Sequence, residues 1–157
     1  MKDKETLLKE LQERFDIMKK ELGFKVSFQE LDSIFFLKDV ILGTGFVSDS
    51  LSRQICARIV DTYMNWNTYL HSFIVPNPSN LLNLSESKML NEEEKKEIEN
   101  ILSKSMKLVS TNTLVGLTKD KKNEAEFINQ AVEFWKKTFC PRLIKIIEKI
   151  NDGWSKK

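Results

Sequence analysis

The chain has 157 residues, 41% of them hydrophobic and 31% charged, and its 25 basic and 23 acidic side chains leave a net charge of +2. Those values fit one globular domain, not a disordered chain, and lack the dominant basic footprint of a protein that grips phosphates. Five Gly and three Pro supply too few turns for an all-β fold, so composition points to helix.

Arginine occurs only at positions 14, 53, 58 and 142. Because Arg is the residue that reads guanine and phosphate with two parallel hydrogen bonds, its scarcity further disfavours sequence-specific nucleic-acid binding. The opening MKDKETLLKE lacks the apolar core of a signal peptide, and no run approaches the roughly 18 apolar residues of a membrane span. The expectation is a cytoplasmic protein with no membrane contact, whose Cys56 and Cys140 remain thiols.

The first helix is predicted over residues 4–22. Leu7, Leu8, Leu11, Phe15, Met18 and Leu22 follow three-and-four spacing, and Gly23 is a natural stop. Ser27 and Glu30 then form a capping box that starts a second helix. From Phe28 to Leu42 this helix is apolar nearly all round, the pattern of a helix enclosed by its neighbours, with Leu37 among the buried positions. It is expected to be the centre of the fold and to stop at Gly43–Gly45. That Gly-Thr-Gly follows a helix rather than a strand, so it reads as a cap and turn, not a phosphate loop.

The third helix is predicted over residues 51–74, with Leu51, Ile55, Ile59, Tyr63, Trp66, Leu70 and Phe73 on one face. Pro76 and Pro78 end it, and Leu81, Leu82 and Leu84 are expected to pack the following connector down. Asn91 with Glu94 caps the fourth helix, which either breaks near Ser110 or runs on to about Leu117. The last helix is predicted over residues 123–151. Its apolar stripe turns by roughly 100° near Pro141, which predicts a kink there. Gly153 should end it, leaving a short flexible tail from about residue 152. The expected fold is a single all-α domain over residues 1–157, a bundle of about five helices.

Few residues could carry chemistry. His71 is the only histidine, so the usual zinc and di-iron sites of helical bundles are missing and no metal or other cofactor is expected. Asp32 and Asp39 are seven residues apart and would share one side of the central helix, about 10 Å apart along its axis. Two carboxylates there are either a solvent strip or a functional pair. Cys140, before Pro141 and Arg142, would become a reactive thiol if a new helix began there. A helix-turn-helix drawn over residues 28–59 would need too long a turn.

The first functional expectation is therefore a non-enzymatic protein-interaction or structural domain, self-association being one form of it. Val60, Met64, Tyr69 and His71 on the third helix are the candidate contact residues for a protein partner or a second copy. The alternative is an aromatic-lined pocket for a small apolar ligand, built from Tyr63, Trp66 and Phe73, with or without catalysis by Asp32, Asp39 or Cys140. Weak nucleic-acid binding ranks third.

Overall fold

The structure is a computed structural model and describes residues 2–157. Those residues are helical with no strand: α1 Lys4–Leu22, α2 Phe28–Phe35, α3 Leu37–Thr44, α4 Leu51–Ile74, α5 Leu81–Lys88, α6 Glu92–Thr118, α7 Lys121–Phe134, a π-helical turn Trp135–Phe139, and α8 Cys140–Ser155. None of these helices is long and apolar enough to cross a membrane. The chain divides into two compact units. The first comprises the described residues up to Thr62 together with Ser110–Val132, and the second comprises Tyr63–Val109 and Glu133–Lys157.

In the first unit, Asp3 caps α1 by accepting from the Thr6 N–H at 2.8 Å, and Gly23 closes it at φ 71°, a left-handed conformation that costs glycine little. Phe15 lies at the centre of the α1 face, with the rings of Phe24 and Phe28 edge-on at 5.6 and 5.3 Å. Leu11, Leu31, Phe35, Ile55 and Ile59 are buried in the same unit, and α1 packs on α3. Ser27 caps α2 as its sequence predicts, accepting from the Glu30 N–H at 3.1 Å.

The expected continuous central helix is two helices. Phe36 adopts φ 55° and ψ 52° between α2 and α3, a left-handed position unusual for a bulky residue. No glycine or proline marks the break. What holds it is hydrogen bonding: Asp32 accepts the Phe36 N–H through its carbonyl and the Lys38 N–H through its carboxylate, both at 2.9 Å, while Arg58 Nε donates to the Phe35 carbonyl at 2.6 Å. The N–H and C=O groups orphaned at a helix end thus find partners. Leu37 is buried, as its place away from Asp32 and Asp39 predicts.

The core of the second unit is built on Tyr63, whose ring meets Phe139 at 5.2 Å, Trp135 at 5.8 Å and Phe134 at 6.0 Å. Leu70, Phe73, Ile98, Ile101, Leu143 and Ile150 complete it. Asn91 and Glu94 form the expected reciprocal cap: the Asn91 side chain accepts from the Glu94 N–H at 2.8 Å and the Glu94 side chain from the Asn91 N–H at 3.0 Å. The helix they start does not break at Ser110 but runs to Thr118.

Three elements differ from the expected five-helix pattern besides α2 and α3. The connector after Pro78 contains α5, capped by Asn80, and Leu81 and Leu82 at its start are exposed rather than packed down. The irregularity in the last helix is a π turn ending just before Cys140 and Pro141, with Cys140 N–H bonded to the Trp135 carbonyl. Pro141 has no N–H to give to the preceding turn, and its ring crowds that turn's carbonyl, so widening the helix there accommodates it. Finally, α8 continues past Gly153 to Ser155.

Candidate functional site

Asp32 and Asp39 do not form a pair on one helix. The Asp32 carboxylate is engaged by the Lys38 backbone, and Asp39 lies exposed in the first turn of α3, where an acid suits the positive end of the helix dipole. Cys140 is half-buried at the start of α8, but the helix enters it through the π turn, so its N–H is already used. Neither arrangement resembles a general acid–base pair or an activated nucleophile. Among the described residues no group of three or more His, Cys, Asp or Glu could hold a metal ion.

Of the aromatic set, Tyr63 and Phe73 are fully buried and Trp66 is half-buried, edge-on to Tyr69 at 6.2 Å. The space around Tyr63 is taken by the chain's own rings. Burial pushes its hydroxyl far above the ordinary tyrosine value, opposed by a hydrogen bond from the Trp135 backbone.

Val60, in the first unit, is partly exposed. The other three contact candidates lie in the second unit: Met64 is partly exposed, Tyr69 is 36% exposed and His71 is exposed in the last turn of α4. Tyr69 belongs to a larger surface. Its ring stacks edge-on over buried Phe73 at 4.9 Å, and both partial burial and the nearby charge of Glu86 raise its hydroxyl above the usual range. Glu86 in turn accepts from Trp154 Nε1 at 3.0 Å. Trp154 is 37% exposed, and the Lys157 ammonium lies 5.7 Å from its ring centre. One helical turn before Glu86, on the same face of α5, stands Leu82 at 67% exposure, next to Leu81 at 78%.

The elements that present this surface are fixed by asparagines. Asn83 accepts the Asn77 N–H at 2.6 Å and donates to the Ser72 carbonyl at 3.0 Å, Asn80 accepts the Asn83 N–H at 3.1 Å, and buried Ser87 donates to the Phe73 carbonyl at 2.7 Å. Only Tyr69 among these surface residues stands out in the sequence. The Asn80 cap before Leu81 was a readable signal for α5, whereas the meeting of Glu86 with Trp154, 68 residues apart, was not.

The first unit contains an open cleft of about 320 Å³, at the lower end of the range for small-molecule sites. One wall is the C-terminal half of α1, another the start of α4, and a third the first turn of α7. Arg14 shapes its mouth by donating to the Val47 and Ser48 carbonyls, both at 3.1 Å, and pairing with Glu10 and Asp49 at 3.0 and 3.3 Å. On its floor Ser52 donates to the carboxylate of Glu124, a residue only 5% exposed, while Arg53 binds Asn112 at 3.0 Å. Comparison with protein-family models, with curated proteins and with solved structures finds no match to this chain.

Proposed function

We propose that this chain is a non-enzymatic protein-interaction domain whose contact surface is centred on Tyr69, Glu86, Trp154 and Leu82. The observation that supports it is a half-exposed Trp154 hydrogen-bonded to Glu86, with exposed Leu82 one helical turn before that carboxylate and the half-exposed Tyr69 ring within reach of its charge. Tyr and Trp bury a large apolar body at little entropic cost and keep one polar group for the partner, which makes them frequent anchors of interfaces. Leu81 and Leu82 lose nothing by leaving water, and the asparagine hydrogen bonds mean that little loop ordering has to be paid on binding. Met64 and His71 are on the same helix but point roughly 140–160° away from Tyr69, so they lie outside this surface.

The first partner to test is a second copy of the chain, since most oligomers of soluble proteins are symmetric homo-oligomers. Sedimentation equilibrium over the micromolar range should show a dimer. Leu82→Glu should raise its dissociation constant more than about tenfold, a loss of about 1.4 kcal/mol, without changing the circular dichroism. A wild-type chain that stays monomeric throughout that range removes self-association, and a dimer indifferent to Leu82→Glu places the contact elsewhere.

A further inference from the structure

The cleft of the first unit has a charge arrangement that the interaction surface of the second unit does not use. Arg14 is committed to Glu10, Asp49 and two carbonyls, so it builds the wall rather than waiting for a ligand. The remaining charged residues lining the cleft are Glu21, Arg53, Lys121 and Glu124, and no ion pair joins any two of them. Lys121 makes no ion pair with any described residue, and Arg53 spends one guanidinium nitrogen on the neutral side chain of Asn112. Glu124 is nineteen-twentieths buried; one of its carboxylate oxygens accepts from the Ser52 hydroxyl, and its side chain contributes to the cleft lining. The cleft therefore presents two carboxylates, Glu21 and Glu124, and two cations, Arg53 and Lys121, with Ile17, Met18, Leu22 and Leu51 as apolar lining.

We propose that this cleft binds a small zwitterion, an aliphatic α-amino acid. Its ammonium group lies against the carboxylates of Glu124 and Glu21, its carboxylate faces Arg53 and Lys121, and its side chain covers the apolar lining from α1. A simple anion would meet Glu21 and Glu124 as like charges, and a simple cation would meet Arg53 and Lys121 in the same way. A ligand carrying both signs a few ångströms apart satisfies both. The volume of about 320 Å³ holds such a molecule with room for water.

L-leucine is the probe. Isothermal titration calorimetry on the full chain should show saturable one-to-one binding at millimolar concentration or below. N-acetyl-L-leucine, which has no ammonium, and L-leucinamide, which has no carboxylate, should each bind more than about tenfold more weakly. Lys121 is exposed, so Lys121→Glu should keep the fold and weaken L-leucine by a similar factor. Glu124→Gln should do the same, and if that variant fails to fold, the two analogues still test the ammonium and carboxylate contacts on the unaltered protein. Absence of saturable L-leucine binding overturns the proposal. So does equal binding of N-acetyl-L-leucine, which would make the cleft a plain anion site, or equal binding by Lys121→Glu. Leu82→Glu, in the other unit, should leave L-leucine binding unchanged, so the cleft and the interaction surface stand or fall separately.

Discussion

The carboxylate of Asp32 and the backbone N–H of Lys38 are joined by a 2.9 Å hydrogen bond across the break between α2 and α3. That bond gives Asp32 a capping role at the start of α3. It satisfies an N–H in the first turn of α3 that no residue within that helix can reach. Removing it should destabilise the fold by about 1 kcal/mol, as N-cap losses do. Asp32→Ala should lower the urea midpoint accordingly, while Asp39→Ala, on the exposed side of α3, should stay within about 0.5 kcal/mol of the parent. Equal and large losses from both would restore the idea of a coupled carboxylate pair.

The same break carries strain at Phe36. A left-handed conformation costs a residue with a Cβ about 1–2 kcal/mol, and the Phe36 side chain, 55% exposed, recovers little by burial. Glycine removes that strain but adds backbone entropy to the unfolded chain, an opposing effect of about 0.5–1 kcal/mol. Phe36→Gly should therefore raise stability by about 0.5–1 kcal/mol in urea denaturation. A loss greater than about 1 kcal/mol would show that the ring makes contacts worth more than the strain it endures.

Local signals in the sequence were legible because the physics behind them is local. Gly23, the Ser27 cap and the Asn91–Glu94 box each act within one helical turn, and the spans of α1 and α4 follow from them and from apolar spacing. The break at Phe36 was not legible, because it depends on Arg58 reaching the Phe35 carbonyl from another helix. Periodicity cannot register an interaction between residues 23 apart. The interaction surface was half legible. Tyr69 stood out by residue type, but Glu86 and Trp154 gain meaning only when α5 and α8 are brought together. The cleft was invisible in sequence for the same reason: Ser52 and Glu124 are 72 residues apart.

Buried Cys56 makes stability depend on alkaline pH. Burial raises its thiol from an ordinary value of 9.0 to about 12, with Arg53 pulling it down and Glu124 pushing it up. The folded state thus holds this proton more tightly than the unfolded one. Its contribution is fully present below pH 9.0 and is lost progressively as pH climbs from there toward about 12. The slope should approach about 1.4 kcal/mol per pH unit once the unfolded thiol has ionised. Urea midpoints measured from about pH 8 to about pH 10.5 should fall more steeply for the parent than for Cys56→Ala. Tyr63, raised in the same direction, adds its own loss above its ordinary value of 10.0 and is common to both proteins. Parallel curves would mean that the Cys56 thiolate is accommodated in the folded state. Thiol labelling should agree, with Cys56 reacting only on unfolding.

Gly153 lies inside α8 rather than at its end, and Met89 occupies the space its Cβ would take. A Cβ at position 153 would overlap the Met89 sulfur and stand 2.7 Å from its Cγ, closer than real side chains approach. Two effects then compete in Gly153→Ala. Alanine gains about 1 kcal/mol of helix propensity over glycine, and overpacking against Met89 costs about 1–3 kcal/mol. Because the clash reaches Cγ and not only the flexible tip, overpacking should win, for a net loss of about 1 kcal/mol. Shortening the opposing side chain removes the clash and keeps the propensity gain. The double variant Gly153→Ala with Met89→Ala should therefore be more stable than the sum of the two single changes by more than about 0.5 kcal/mol, beyond the scatter of independent sites. Additive single and double variants in urea denaturation would show that α8 does not need glycine to approach Met89.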